Sequence, residues 1–371
     1  MIGLNTPAVP AVEPAMGSPR LFPLCGAASA MAAGCQAKVD FTAALADKHL
    51  GDQAMAYWIE GDMLRIVARS SSKSPPMLMG SFQTPMAPLQ NGLEGLWGVQ
   101  YQLPYMDQSM LDLRLIVDGV QRAKITYRGA KAPQAVRAKK LAGRLEAVNV
   151  DSVNLGQKRG VTVYTPAQLP PPEGYAVVYM ADDAATVFAP IVEKLILDGQ
   201  IRPVLLVGMQ NGGKARANEY LPGLDTTAYA RHEAFVLHEV MPLVEAHFHA
   251  SQRSEDRLTY GFSNGGAWAL AFGTEHPELF HQVSAFAVAG RPDEISVPSE
   301  DEKQLFYLGA GAYDFLSIQT AGFCRKIRQT GLPCNYLTLY AGHDQAMWEQ
   351  GLVYALTGAF PADLSAQNRL P

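Results

Sequence analysis

Several things are scarce in this 371-residue chain, and each scarcity excludes something. There are only four cysteines, at 25, 35, 324 and 334, and no C-x-x-C or Cys/His zinc spacing joins them. The sequence therefore gives no case for a bound metal. Basic charge is not in excess: 30 Lys and Arg stand against 35 Asp and Glu, a formal net charge of −5. That removes the electrostatic footprint expected of a nucleic-acid binder. No apolar run is long enough for a membrane span. Histidine is sparse, with none between His49 and His232, and little in residues 52–128 looks catalytic. What is plentiful is apolar and loop-forming: 48% hydrophobic residues, 33 glycines and 25 prolines. This composition is that of a globular, loop-rich protein, long enough for one large α/β domain or two ordinary ones.

The first 40 residues read as a leader. "LFPLCGAASAMAAGC", residues 21–35, is a small-residue apolar stretch after Arg20. A start at Met16 would give a basic n-region, a short h-region and a cleavage site, either at Ala28-Ser29-Ala30 or just before Cys35. "AAGC" is similar to a lipoprotein processing site, with alanine where leucine is usual, which makes Cys35 a candidate lipid anchor. Export to the periplasm or beyond is the expectation, with a cytoplasmic protein carrying an alanine-rich leader as the alternative. Cys324 and Cys334 flank the end of a predicted helix and the start of a strand. Two buried free thiols are the preferred reading there, and a disulfide the other.

Residues 41–130 have strand texture. "MAYWIEG", "MLRIVARS", "LWGVQYQL" and "LDLRLIVDG" alternate with a period near two between Gly, Pro, Ser and Asp clusters, and Asp118-Gly119 signals a hairpin. This pattern predicts a small β-sandwich. Residues 131–146, basic and poor in large apolar side chains, read as a solvated linker rather than an anion-binding patch. From 147 to 371 strands alternate with helices: "GVTVYTP", "YAVVYM", "VFAPIVEKLILDGQ", "RPVLLVG", "AFVLHEVMPLVEAHF", "RLTYGF" and onward to "CNYLTLYAG". Alternation of this kind predicts a mostly parallel sheet covered by helices on both faces.

Within that region Gly261-Phe262-Ser263-Asn264-Gly265 fits G-x-S-x-G, between an apolar strand and an alanine-rich helix. A serine on such a sharp strand-to-helix turn is exposed as a nucleophile, and glycines relieve the crowding. Its hydroxyl needs a base, and the chain order expected is Ser, then Asp or Glu, then His. Of the three histidines after Ser263, His276 and His281 are too close along the chain and on the wrong side of the sheet. His343 follows the last strand and is the expected base. Asp314 follows the strand before it and is the expected acid, with Asp344, Asp293 and Glu294 as rivals; Asp344 is better suited to fixing the loop. The backbone N–H of Asn264 is one expected oxyanion donor, and that of Asp183 (or Asp182) in "YMADDAA" is the other. The loop 209–223 should form part of the pocket wall. Lys214, Arg216 and Arg291 are candidates for an anionic substrate, or else plain surface cations, and Trp348 is a further candidate contact. His247 and His249, two apart on a helix, face different ways and are discounted as ligands. Phe235–Phe248 is a core stripe.

"VTVYTP", "VVYMADDA", "NEYLPG", "GFSNGGAW", "HPELF", "GAGAYD" and "GHDQAMW" occur in the order seen in the Putative esterase family, over about residues 147–360. The chain thus resembles enterochelin, feruloyl and acetyl-xylan esterases, S-formylglutathione hydrolase and mycolyltransferases. The resemblance implies an α/β-hydrolase fold, Ser263 as nucleophile, Asp314 as acid and His343 as base, with no cofactor and a small-molecule ester as substrate. The stretch 78–119 is similar to the immunoglobulin-like domain preceding enterochelin esterases. A siderophore trilactone is the leading substrate expectation. A feruloyl or acetyl-xylan ester comes second, acyl transfer third, and a non-catalytic binding protein is the reading from a different class. Oligomeric state is left open.

Overall fold

The computed structural model describes residues 39–89, 95–296, 298 and 303–362. The leader, with its candidate anchor Cys35, lies outside them. The described residues divide into two compact units, one holding those from 39 to 132 together with 311–315 and 336–344, and a larger one holding the other described residues.

In the smaller unit a short helix comes first, α1 (Ala43–Leu50), capped by Thr42, whose hydroxyl accepts the Leu45 N–H. The sequence reading assigned only strands here. Then follow β1 (Met55–Glu60), β2 (Met63–Arg69), β3 (Met77–Gly80), β4 (Thr84–Pro85), β5 (Ala87–Pro88), β6 (Leu96–Gln102), β7 (Met110–Val117) and β8 (Val120–Arg128). They form two antiparallel four-stranded sheets, ordered β1-β2-β6-β5 and β4-β3-β7-β8. Inward residues of both sheets, among them Leu64, Ile66, Val99, Leu111 and Leu113, share one core. Asp118 and Gly119, both at positive φ, turn β7 into β8 as the Asp-Gly signal predicts.

A third, mixed sheet lies mostly in the larger unit. Its strands in chain order are β9 (Arg144–Ser152), β10 (Gln157–Thr165), β11 (Ala176–Met180), β12 (Val204–Met209), β13 (Arg257–Phe262), β14 (Gln282–Phe286), β15 (Leu305–Gly311) and β16 (Cys334–Leu339). The order across the sheet is β16-β15-β14-β13-β11-β12-β10-β9. β9 and β10 pair antiparallel, and β12, β11, β13, β14 and β15 run parallel. Every residue of β11, β12 and β14 is buried, as strands covered on both faces must be.

The helices are α2 (Ala185–Leu197), α3 (Arg216–Tyr220), α4 (Thr226–Phe235), α5 (Met241–Phe248), α6 (Asn264–Glu275), α7 (Ser317–Gln329) and α8 (Gln345–Ala359). The stretch "AFVLHEVMPLVEAHF", read as one long amphipathic helix, is the end of α4 and all of α5, joined by a π turn, Val236–Val240. Pro242, which has no N–H to continue an α ladder, sits at the start of α5 just beyond that turn.

Two expectations are corrected. The basic stretch 131–146 is not simply a solvated linker. The Ala138 N–H donates to the Pro190 carbonyl at 2.8 Å, Arg137 donates to the Val187 carbonyl and pairs with Glu349, and β9 already begins at Arg144. Small Ala and Pro side chains let this backbone lie close to α2. As a sheet edge, β9 keeps one exposed face, so it lacks the apolar run that marks a buried strand. The second correction concerns Cys324 and Cys334, which form a disulfide between α7 and β16 instead of remaining free thiols. Their Cα atoms stand 5.6 Å apart, inside the range a bridge spans.

Candidate active site

Ser263 follows β13 directly and caps α6 with φ 58° and ψ −126°, backbone angles that a side chain rarely tolerates. Such a residue stores about 1–3 kcal/mol of strain unless its surroundings fix it. They do so through hydrogen bonds. The Ser263 N–H donates to the Phe286 carbonyl at 3.0 Å, and its carbonyl accepts from Gly266, Ala267 and Ala289 at 3.0–3.1 Å. Two glycines make the turn possible by close approach. A Cβ on Gly261 would stand 1.9 Å from the Gly265 carbonyl oxygen, and one on Gly266 would stand 2.7 Å from that of Phe286. Asn264 is the first residue of α6, so its N–H belongs to the helix donors that have no intrahelical acceptor.

The loop after β11 is the second strained element. Asp182 and Asp183 are consecutive left-handed residues, with φ 65° and 53°. Three groups hold Asp182. Arg216 grips its carboxylate through Nε at 2.6 Å and Nη2 at 2.7 Å, Asn211 donates to it at 2.7 Å, and its backbone N–H donates to the Tyr220 hydroxyl at 3.1 Å. The Asp182 N–H is therefore engaged, which leaves Asp183 as the candidate oxyanion donor of the pair. Burial pushes the Asp183 carboxyl above its ordinary value, with the Thr162 hydroxyl opposing. For Arg216, burial works against the charge, and the paired Asp182 more than offsets it.

The smaller unit carries the other pair. His343 Nδ1 lies 2.9 Å from Asp314 Oδ2, with side-chain exposures of 9% and 0%. An ionised carboxylate can only accept, so Nδ1 carries the proton of this hydrogen bond. The Phe315 ring lies against the imidazole, with centroids 4.9 Å apart. Among the rivals for the acid, Asp344 is buried and takes a 2.5 Å hydrogen bond from Ser81, while Asp293 and Glu294 both pair with Arg291. His276 sits at the far end of α6, 2.7 Å from Glu233.

The candidate substrate contacts are placed differently from one another. Arg216 is bound to Asp182 as described. Arg291, 71% exposed, lies 3.2 Å from both Asp293 and Glu294. Lys214 is exposed on a short turn. Trp348 stacks on Phe262, the residue before the serine, with centroids 4.0 Å apart and planes within 8°, and its carbonyl accepts from the Tyr260 hydroxyl. Sequence reasoning missed the anchor of the 209–223 loop, an Arg159–Glu219 ion pair at 2.7 Å with exposures of 3% and 5%. Its only signal was the "NEYLPG" stretch, which holds both Glu219 and Tyr220. Among the described residues no group of three or more His, Cys, Asp or Glu is placed to hold a metal ion, and no helix is long and apolar enough to cross a membrane.

A family model described as Putative esterase matches residues 152–367. The chain belongs to this family. As a Putative esterase it is an ester hydrolase, and its mixed sheet with flanking helices is of the α/β-hydrolase type. No curated protein matches it in sequence. Among solved structures it is similar to the enterobactin esterase of Shigella flexneri, with 15% identity and a TM-score of 0.61, over 82% of this chain and 96% of that one. The ferric enterobactin esterase of Salmonella typhimurium matches at 13% identity and a TM-score of 0.61, over 82% and 96%. A ferulic acid esterase of Anaeromyces mucronatus matches at 18% identity and a TM-score of 0.50, over 62% of this chain and 97% of that one.

Proposed function

We propose that this Putative esterase is a serine carboxylic-ester hydrolase working through Ser263, Asp314 and His343. The observation that carries the reading is the Asp314–His343 contact at 2.9 Å, with a fully buried carboxylate behind the imidazole, in a chain whose serine stands on a strained elbow. Ser263 Oγ bonds to the ester carbonyl carbon as its proton passes to His343 Nε2. The carbonyl oxygen becomes an oxyanion, held by the N–H groups of Asn264 and Asp183. The C–O bond to the alcohol then breaks, and the alcohol leaves with the proton from His343. Water repeats the sequence on the acyl-enzyme and regenerates the serine.

The leading substrate is a siderophore trilactone of the enterobactin type. Its support is extent: the enterobactin esterase structures match over 82% of this chain and the ferulic acid esterase over 62%. On this reading residues 41–130 serve as an immunoglobulin-like companion domain. A carbohydrate ester is the second reading, favoured by one observation. Arg216 and Arg291, which would meet an anionic ferric siderophore, are both paired with carboxylates. We further propose that the protein is exported, since a Cys324–Cys334 bridge suits an oxidising compartment.

The test is hydrolysis of p-nitrophenyl acetate and butyrate by the wild type and Ser263→Ala. Ferric enterobactin and methyl ferulate digests are then resolved by chromatography. Loss of at least about a thousandfold in the serine variant is expected. A wild type inert to every ester would sink the proposal, and the two natural esters decide the substrate.

A further inference from the structure

Ser81 follows β3 in the part of the chain where the sequence showed nothing catalytic, and it is 1% exposed. Its backbone carbonyl accepts the His343 N–H at 3.1 Å. Its hydroxyl lies 2.5 Å from Asp344 Oδ2 and 3.2 Å from the Asp112 carbonyl, and it accepts the Asp112 N–H at 2.7 Å. A hydroxyl has one proton, and the nearer acceptor takes it, so the proton lies toward Asp344. Both lone-pair and proton directions of this hydroxyl are thus fixed. The serine in turn is fixed by its own N–H, which donates to the Asp112 carbonyl at 2.9 Å.

The approach is close enough to dictate the sequence next to the histidine. A Cβ on Gly342 would stand 2.1 Å from the Ser81 carbonyl oxygen, so only glycine lets the 342–344 backbone close onto Ser81. The same unit ties down the rest of the His343 and Asp314 segments. The Met110 N–H donates to the Tyr340 carbonyl at 2.8 Å, and the Tyr313 hydroxyl bonds to Ser109 Oγ at 2.7 Å and to the Pro104 carbonyl at 2.5 Å.

We propose that Ser81 is a positioning residue for His343, holding the histidine by its backbone and the adjacent Asp344 by its side chain. The reading rests on the esterase assignment, in which His343 is the base. Ser81 touches no reacting atom. Its effect is on where the imidazole stands relative to Asp314. It makes the N-terminal strands part of the catalytic apparatus in addition to any role in binding.

The experiment compares Ser81→Ala, Ser81→Cys and Ser81→Thr with the wild type in the full chain. Cysteine keeps the size and the backbone carbonyl but donates weakly, so it guards against a variant that simply fails to fold. Threonine keeps the hydroxyl. Two readouts are taken: kcat and KM on p-nitrophenyl acetate, and the downfield proton resonance of His343 Nδ1–H. The expected result is a kcat lower by about 10- to 100-fold in the Ala and Cys variants, the range that a small misplacement of a reacting group costs, with KM unchanged. The Nδ1–H resonance should shift or broaden in these two, and Thr should recover most of both signals. Unchanged kcat and resonance in folded Ala or Cys variants would overturn the proposal, as would a change confined to KM. A wild type without esterase activity would defeat the function proposed above, and the resonance would still report whether Ser81 orders the histidine.

Discussion

Arg216 holds Asp182 with two parallel hydrogen bonds, 2.6 and 2.7 Å long, at the residue where the chain first enters the left-handed region after β11. The arginine read from the sequence as a candidate for an anionic substrate thus braces the loop that carries the proposed oxyanion donor, Asp183. The fork of the guanidinium is what makes the brace directional; a lysine would supply charge without the second bond. Arg216→Gln should therefore lower kcat on p-nitrophenyl acetate by at least about tenfold, because the Asp183 N–H loses its fixed position. KM should stay within about twofold, as expected when only transition-state contacts weaken. Arg216→Lys should fall between. A rise in KM confined to anionic esters, with kcat intact, would return Arg216 to the role of substrate contact.

The Arg159–Glu219 pair is nearly dry, at 3% and 5% side-chain exposure, and it anchors the 209–223 loop to β10. Glu219 also accepts the Gly212 N–H at 2.9 Å. Removing one charge of a buried pair leaves the other unpaired, which costs about 3–5 kcal/mol. Glu219→Gln should lose that much in urea unfolding, and the Arg159→Met, Glu219→Leu double variant much less. Equal losses in the single and double variants would mean that packing, and not the ion pair, secures the loop.

What was legible in the sequence was what depends on near neighbours. G-x-S-x-G between an apolar strand and an alanine-rich stretch located the elbow, and the alternation of strands and helices located the sheet. Apolar runs such as "PVLLVG" gave the strands buried on both faces. What was not legible depends on partners far along the chain. Ser81 and Asp344 are 263 residues apart, and Arg159 and Glu219 are 60 apart. No local periodicity reports such pairs. The strand β9 was hidden for a different reason: its edge position lets alternate residues stay polar. The bridge between Cys324 and Cys334 was legible as a proximity, but helix-end geometry alone did not decide between a bond and two thiols.

That disulfide closes a short loop, with the two cysteines 10 residues apart. A crosslink of this length restricts the unfolded chain by about 2–3 kcal/mol in the loop-entropy account. The Cys334 carbonyl is held independently by Arg328, through Nε at 2.9 Å and Nη2 at 2.6 Å, so the fold should survive loss of the bond. The Cys324→Ser, Cys334→Ser variant is expected to fold, to keep kcat, and to unfold at lower urea than the oxidised wild type. Wild type treated with reductant should match it. Identical midpoints for oxidised and reduced wild type would show that the bridge contributes nothing.

His232 on α4 offers a test of the core beneath the elbow helix. It is fully buried, neither ring nitrogen has a protein partner, and Tyr220, Trp268 and Phe235 surround it with ring centroids 5.2–6.0 Å away. Burial lowers its pKa to about 3, Arg159 adds to this, and Asp182 opposes it. The sign follows from comparing the two states. An unfolded chain binds the proton near pH 6.5 and the folded one does not until about pH 3, so this contribution to stability is complete above pH 6.5 and is lost as the pH falls. The slope should reach about 1.4 kcal/mol per pH unit between those limits. His232→Phe removes no hydrogen bond and suits an aromatic surround. Its stability should equal or exceed that of the wild type at pH 7, and its unfolding free energy should fall less steeply between pH 6.5 and 4. Parallel pH curves for the two proteins would mean that His232 takes up a proton in the folded state as readily as in the unfolded chain.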